Sequence, residues 1–490
     1  MLRHKALVLV GIAFAVLAPS TPTNASAAVD FSVLINFNGT NGAAPTAPLI
    51  QATDGSFYGT TASGGDGASC GDQHGCGTVF RITPGGELNT IYSFCALANC
   101  ADGGYPSAGL VQAPDGSFYG TTFGGADLTC DGGCGTIFKI TAEGKLTTLH
   151  RFHGADGASP SAALILGSDG DFYGMTWLGG IAGGCWYDEP YGCGTIFKMT
   201  AQGVFTTLHR FCKDTNCADG ALPLGSLVQA TNGKLYGTTS GGGRSNHDCT
   251  EPNYACGTIF EIRSSGEFKT LFDFCPNGDC PGGYNPGAGL IQAADGNLYG
   301  TSLTGAFFKM TLQGRFRNVS AVNANEPNTL IQGTDGNFYG TAYFGGTAGV
   351  GTVFKVTPKG KASTLHSFDY DDGDNPDAGL LQATDGTFYG TTQSGGSDPG
   401  GGVVFKLSVG LGAFVALEPG YGKVGAKIVI LGNNLQGATG VTFNGTAADF
   451  DVASDSEITA TVPSGATSGT VEVTLPDKTL KSNVAFRVLQ

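Results

Sequence analysis

The phrase DGSFYGTT occurs at Asp54 and again at Asp115, with near copies at Asp169, Asn232, Asp295, Asp335 and Asp385. Seven copies at intervals of roughly 40 to 63 residues mark a repeat array, in which each unit must bury its apolar face against its neighbours. Each copy follows a leucine (Leu49, Leu110, Leu164, Leu227, Leu290, Leu330, Leu380) and, before it, a proline (Pro45, Pro106, Pro160, Pro223, Pro286, Pro327, Pro376). Downstream comes a GT-[VI]-F-K-like segment with Phe80, Phe138, Phe197, Phe260, Phe308, Phe354 and Phe405 in register. A fourth segment such as KLTTLHRF or KASTLHSF closes most units.

Four strands of about 5–7 residues per unit is the content of one β-propeller blade. Asp-Gly between strands one and two is a strong hairpin signal, because both central residues of a type I′ turn need positive φ. A second tight turn ending in glycine separates strands three and four, as in TAEGK at Thr141 and TPKGK at Thr357. Tyr58 and its six equivalents are expected to pack between blades. The seventh unit lacks a fourth strand after Phe405, yet FSVLINFNGTNGAAP at Phe31 to Pro45 aligns with LTTLHRFHGADGASP at Leu146 to Pro160. An amino-terminal strand completing the last blade would close the ring and remove an exposed edge. The expected fold is therefore all-β: a closed seven-bladed β-propeller, favoured over an open solenoid.

Composition agrees. Of 490 residues 82 are glycine, 41% are hydrophobic, 10% aromatic and only 13% charged, which suits short strands and tight turns and opposes disorder. The net charge of −15 opposes binding to nucleic acid or anionic lipid. Residues 1–27 read as a signal peptide: Arg3, His4 and Lys5 lead, Ala6 to Ala18 is apolar, and Ala25-Ser26-Ala27 offers a cleavage site. The apolar run is too short to span a bilayer. The expected product is a secreted, periplasmic or cell-surface monomer with no membrane insertion after signal cleavage, a retained amino-terminal anchor being the alternative.

All 14 cysteines fall into local pairs. Cys70 with Cys76, Cys130 with Cys134, Cys185 with Cys193 and Cys249 with Cys256 lie between strands two and three, whereas Cys95 with Cys100, Cys212 with Cys217 and Cys275 with Cys280 lie between blades. Units lacking one partner lack the other as well. In an exported chain this reads as seven short disulfides. Zinc competes poorly, since the pairs are separate and lack a regular histidine. Each small ring contributes roughly 2 kcal/mol in the loop-entropy account. Strand direction alternates within a blade, so both loop sets should emerge on one face, with the Asp-Gly turns opposite. Long, stapled, variable loops on a rigid scaffold are where binding is usually placed.

In those loops, Trp177, Trp186, Tyr187 and Tyr191, with Arg244, His247 and Tyr254 in the next unit, are the candidate ligand-binding residues, because exposed aromatics stack on sugars and peptides. The competing reading is that they pack over their own loops. The repeated aspartates Asp54, Asp115, Asp169, Asp295, Asp335 and Asp385 are read as turn formers rather than calcium ligands: Asn232 substitutes once, and no D-x-D-x-D-G loop appears. His150, His209 and His366 are packing or surface residues, since Ile35, Tyr92 and Phe272 fill the same position. No metal or cofactor is expected. No G-x-S-x-G, H-E-x-x-H or P-loop signature is present, although residues of different blades could still meet in a central channel.

After Phe405 the repeat stops and alternating strands follow: KIVILGNNL, GVTFNGTAADFDV, EITATVP, GTVEVTLPDKTL and NVAFRVL. Through Pro419, Gly425, Gly432, VTFNG at Val441 to Gly445, ITATVP at Ile458 to Pro463 and Gly469, this part resembles the IPT/TIG immunoglobulin-like family. That resemblance implies a β-sandwich serving as a spacer, interaction or sugar-binding-associated module, without catalytic residues. The units themselves resemble the GloVer tandem repeat of bacterial extracellular proteins, through DG-x-FYGTT, the following Gly64-Gly65, Gly124-Gly125 and Gly179-Gly180, and GT-[VI]-F-K. This implies fold and export more than activity. Unit five departs from the pattern, since LYGTSLTGAFFK at Leu298 to Lys309 lacks the long loop.

The expected organisation is a signal peptide at 1–27, the propeller at 31–410 and the IPT/TIG domain at 417–490. The expected function is non-enzymatic: the stapled face engages a glycan or an extracellular protein. Two alternatives stay open, an extracellular carbohydrate-active lyase or hydrolase with its site in the central channel, and a structural surface or matrix component.

Overall fold

The computed structural model describes residues 29–66, 75–126, 130, 132–180, 192–214, 217–244, 256–276, 280, 282–322, 325–398 and 400–489. Among these, the repeat array forms seven antiparallel sheets, the first six each built from one unit. Sheet 1 runs Ile50–Gln51, Phe57–Thr61, Thr78–Ile82, Leu88–Ser93 from its inner to its outer edge, in chain order, and sheets 2 to 5 repeat that order. Sheet 6 gains a short extra strand, Asn325–Pro327. Sheet 7 takes Leu381–Gln382, Phe388–Thr392 and Val403–Ser408 from its own unit and Asp30–Asn36 from the amino terminus, paired antiparallel from Asp30 opposite Ser408 to Asn36 opposite Val403.

The second strand of sheet 1 is buried along its whole length and the third nearly so, because the neighbouring sheets cover both faces. Gly59 in FYGTT is dictated by that packing: a Cβ there would lie 2.6 Å from Phe80 Cζ and 2.7 Å from Leu49 Cδ2. In the third-to-fourth strand pair the register shifts between Val79 and Phe80, and again at Ile137/Phe138 and Ile196/Phe197. These bulges add local twist.

Three joints recur between consecutive sheets. The tyrosine of FYGTT stacks on the first aromatic of the next unit's second strand: Tyr58 on Phe118 at 4.2 Å, Tyr119 on Phe172 at 4.1 Å, Tyr339 on Phe388 at 4.3 Å. Tyr389 of sheet 7 stacks likewise on Phe57 of sheet 1, at 4.3 Å. Second, the residue before each repeat proline (Ala44, Tyr105, Ser159, Leu222, Asn285, Glu326, Asn375) has φ between 50° and 57°. That strained conformation lets one peptide unit bridge two sheets: Tyr105 N–H donates to Cys76 O at 2.8 Å, while Tyr105 O accepts from Phe123 N–H at 3.0 Å. Third, a glutamine of the inner strand accepts a backbone N–H from the preceding sheet, as in Thr53 to Gln112 at 3.0 Å, Ala294 to Gln332 at 2.8 Å and, from sheet 7 to sheet 1, Thr384 to Gln51 at 2.9 Å.

The joint between sheets 2 and 3 departs from this rule on both sides. Pro114 occupies the donor position and has no N–H, and Leu166 occupies the glutamine position. Donor and acceptor are lost together.

The Asp-Gly segments form turns, but not of the expected type I′: only the glycine has positive φ (Gly55 78°), the aspartate does not, and Ala52 closes the loop by accepting from Gly55 N–H at 2.9 Å and donating to Ser56 O at 2.9 Å. Asp54 Oδ1 accepts the Ser56 N–H at 2.9 Å, and Oδ2 accepts the Tyr58 hydroxyl at 3.0 Å and an ion pair from Arg81 at 2.9 Å. Lys139 plays the part of Arg81 for Asp115, at 2.6 Å.

The carboxy-terminal part forms two four-stranded sheets, the first containing Lys427–Leu431 and Glu457–Thr461, the second Gly440–Phe443 and Val471–Thr474, and a parallel pair of Tyr421–Lys423 with Arg487–Leu489. They enclose one apolar core of Ile428, Ile430, Val441, Phe443, Ile458, Val471, Val473 and Phe486, with other residues. This domain sits on the Asp-Gly-turn side of the array and touches four sheets. Ser456 Oγ donates to Thr53 O (3.0 Å), Tyr421 to Gly167 O (2.8 Å), Arg487 to Thr231 O (3.0 Å) and Asn433 to Thr384 Oγ1 (2.7 Å). Among the described residues no helix is long and apolar enough to cross a membrane.

Candidate binding site at the channel mouth

The inner strands begin just after the repeat prolines, so the residues following those prolines converge at one end of the array. They line a cavity of about 630 Å³ to which every sheet contributes: Thr46, Ser107, Ser161, Leu224, Gly287, Asn328 and Asp377 occupy the same position in successive units. The backbone is nearly the same in each, so the chemistry of the cavity is set by this one variable position and its neighbours.

The wall is divided. Thr46 Oγ1, Ser107 Oγ and Ser161 Oγ are buried and have no hydrogen-bond partner among the described residues. Leu224 and Gly287 form an apolar stretch. Asn328 is fixed between sheets 6 and 7, its Nδ2 donating to Thr341 Oγ1 at 3.0 Å and Pro376 O at 2.7 Å. Beside it lie Glu326, Asp377 and Tyr343, the last donating its hydroxyl to Gln393 Oε1 at 2.9 Å.

This side is electrostatically one-signed. Asp377 opens onto the cavity, yet the surrounding protein and then the charge of Glu326 push its carboxyl up to about 6. Burial first, then Asp377, Asp374 and Glu326, raise the Tyr343 phenol, so three carboxylates surround one hydroxyl. Asp374 Oδ1 is buried without a hydrogen-bond partner among the described residues. Among the described residues no lysine or arginine lines the cavity. The arrangement suits a ligand rich in hydroxyl groups and disfavours anions. A carboxyl titrating near 6 beside a second carboxylate also has the protonation range for acid–base chemistry at neutral pH.

Of the residues singled out in the sequence, Trp177 does not itself line the cavity. It occupies the same unit position as Tyr343 and Ala62, which line the cavity, half-buried with its ring 6.3 Å from Phe123 and packed against a core that includes Tyr173 and Leu222. Arg244 is exposed, and its backbone N–H donates to Asp273 Oδ1 at 2.9 Å on an outer strand, away from the cavity. Trp186, Tyr187, Tyr191, His247 and Tyr254 fall outside the described residues.

Glu326, Asn328, Tyr343 and Asp377 were missed. For Glu326, Asn328 and Asp377 the signal was available in the residues flanking each repeat proline, where the chemistry changes from unit to unit while the proline does not; Tyr343 lies at the end of the strand Phe338–Phe344 instead.

The cysteines are bonded as pairs: Cys95–Cys100, Cys130–Cys134, Cys212–Cys217 and Cys275–Cys280. Cys76, Cys193 and Cys256 are also disulfide-bonded, while Cys70, Cys185 and Cys249 lie outside the described residues. The sulfurs of Cys76, Cys95 and Cys100 lie within 4.8 Å of one another, as do those of Cys193, Cys212 and Cys217, so the two loop sets share one face. His150, His209 and His366 are joint residues: each Nε2 bonds an aspartate (Asp156, Asp219, Asp372) at 2.8 to 3.0 Å, and each ring lies flat on an aromatic of the next sheet.

Repeated four-stranded, blade-like sheets with a cavity at their convergence and an appended β-sandwich define a β-repeat protein. The chain belongs to the Gloeobacter/Verrucomicrobia repeat family, whose model matches residues 67–307 and 302–447, and it carries an IPT/TIG domain matched over residues 414–488. No curated protein matches. Among solved structures, similarity is found to a Bacteroides fragilis protein described as a candidate 6-phosphogluconolactonase (15% identity, 70% of this chain and 96% of that one, TM-score 0.42). It is found also to a Thermus thermophilus protein described as a candidate glucose dehydrogenase (15%, 78% and 100%, 0.40) and to a gluconolactonase of Xanthomonas campestris (13%, 56% and 78%, 0.33). Likenesses this distant assign no activity to this chain.

Proposed function

We propose that this chain is an exported binding protein, a closed seven-bladed propeller that takes a neutral, polyhydroxylated ligand, a glycan, at the channel mouth on its disulfide-stapled face. Closure is supported by the pairing of Asp30–Asn36 with Val403–Ser408 and by sheet 7 meeting sheet 1 through the same joints as other neighbours. Export is supported by the disulfides, which persist in oxidising compartments. The observation that carries the ligand class is the pair of opposed walls: three hydroxyls without partners and a carboxylate-rich arc, with no cation between them among the described residues. Sugars offer matching donors and acceptors, and Trp177, at the unit position of the lining residues Tyr343 and Ala62, adds an aromatic face.

The test is a glycan array on the chain lacking residues 1–27, with Asp377→Asn and Ser107→Ala/Ser161→Ala alongside. Binding of neutral glycans by the parent, weakened at least tenfold in both variants, is the expected result. No neutral-glycan binding, or binding indifferent to both, overturns the proposal. A second reading, cleavage, is favoured by the Asp377 carboxyl titrating near 6 beside Glu326. Products released by the parent and abolished by Asp377→Asn would establish it.

A further inference from the structure

Where the glutamine joint is missing, between sheets 2 and 3, the structure has a second cavity. Its volume is about 540 Å³, and the IPT/TIG domain forms its other wall through Glu418, Pro419, Tyr421 and Val429. Leu110, Leu164 and Leu166 make the array side apolar. The position of Leu166 explains the space: in the other units a glutamine here reaches across to a backbone N–H, whereas here Pro114 has none to offer.

The Glu418 carboxyl enters this apolar groove with no hydrogen-bond or ion-pair partner among the described residues. Burial alone pushes it up to about 7. Among the described residues no lysine or arginine lines the groove, and the other acidic groups on it are Glu457, two strands away in the same sheet, and Asp115, the latter already paired with Lys139. At the edge, Arg487 sits over the Tyr421 ring and donates to Ala230 O and Thr231 O. Glu418 thus meets no cation among the described residues. An uncompensated carboxylate in an apolar pocket of ligand size is stabilised best by a guest that supplies the missing positive charge.

We propose that the groove between sheets 2 and 3 and the IPT/TIG domain is a ligand site for a small monocation with an apolar body, an alkyl- or arylamine, with Glu418 as its counter-ion. This site is separate from the channel mouth and independent of the glycan reading. Its cation must be held by the charged form of Glu418, so affinity rises as pH increases through 7 while the amine stays protonated.

The experiment is calorimetric titration of the whole chain with hexylamine at pH 6 and pH 8, with hexanol as the uncharged control. Hexylamine is expected to bind on the order of tenfold more weakly at pH 6 than at pH 8, following the charged fraction of Glu418. Hexanol should bind weakly and without that pH dependence. Glu418→Gln should abolish the pH dependence and weaken hexylamine binding about tenfold, and Pro114→Thr/Leu166→Gln, which restores the hydrogen bond between the sheets and replaces an apolar wall residue by an amide, should weaken binding of hexylamine and hexanol alike while the melting temperature holds or rises. No saturable hexylamine binding at pH 8, equal binding of hexanol, or binding unchanged in both variants overturns the assignment.

Discussion

His366 lies flat on Phe31, ring centroids 3.6 Å apart and planes 5° from parallel, although the two residues belong to opposite ends of the repeat array. The same contact joins His150 to Phe205, His209 to Phe268 and Phe272 to Phe316, each at 3.9 Å. Phe31 therefore stands where an internal unit would place its own fourth-strand aromatic. It also reaches the core ring Phe405 at 5.5 Å and Phe368 at 5.8 Å.

Replacing Phe31 with alanine should therefore cost about as much as replacing Phe205, on the order of 2–4 kcal/mol each. Urea unfolding of the two variants side by side measures this. A Phe31→Ala variant as stable as the parent would mean that the amino-terminal strand does not hold the array together.

The glutamine joint permits a double-substitution cycle that copies the natural exception between sheets 2 and 3. Gln332→Leu leaves the Ala294 N–H without its acceptor and should cost about 1–3 kcal/mol. Adding Ala294→Pro, which reproduces Pro114, removes that orphaned donor and should return part of the loss. Strict additivity in denaturation midpoints would show that the two positions do not act as a pair.

Asp377 sets a pH dependence with a definite sign. Its folded-state carboxyl titrates near 6, above its ordinary value of 3.8, so the folded protein holds this proton more tightly than the unfolded chain. The stability it contributes is fully present below pH 3.8 and is lost as pH rises through 6. Because the Asp377 side chain is also open to solvent, which screens the effect, Asp377→Asn should melt only slightly higher than the parent at pH 7.5 and at the parent's temperature at pH 4, as read by calorimetry; the reverse order would contradict the placement of this group.

Trp177 has both a packing and a binding role to test. Because it is half-buried against the core of sheets 3 and 4, Trp177→Ala should lower stability by about 1–3 kcal/mol. Trp177→Phe should keep most of that stability, so any loss of glycan binding in the phenylalanine variant reports on the ligand contact itself.

The architecture was legible in the sequence because its signals are local and repeated. Asp-Gly fixes a hairpin, FYGTT and GTIFK fix two buried strands, and the cysteines come and go in pairs. The tyrosine of FYGTT is expected from its recurrence to pack between blades, and Tyr58 on Phe118 is that contact. The candidate site was not legible in the same way. Glu326, Asn328 and Tyr343 come from one unit and Asp377 from the next; the residues beside the repeat prolines vary from unit to unit, but that variation does not by itself say that they meet in one cavity.

What the sequence determined alone was therefore the unit: its strands, turns, disulfide pairs and the strand borrowed from the amino terminus, all fixed by neighbours in the chain or by comparison between copies. The tertiary structure decided what the units build together. Only convergence of the sheets places the hydroxyls of Thr46, Ser107 and Ser161 in one cavity with Asp377. Likewise, only docking of the last domain over the unclamped joint at Pro114 and Leu166 encloses Glu418. Charge and desolvation act through space over a few ångströms, and those distances exist only once the array is assembled.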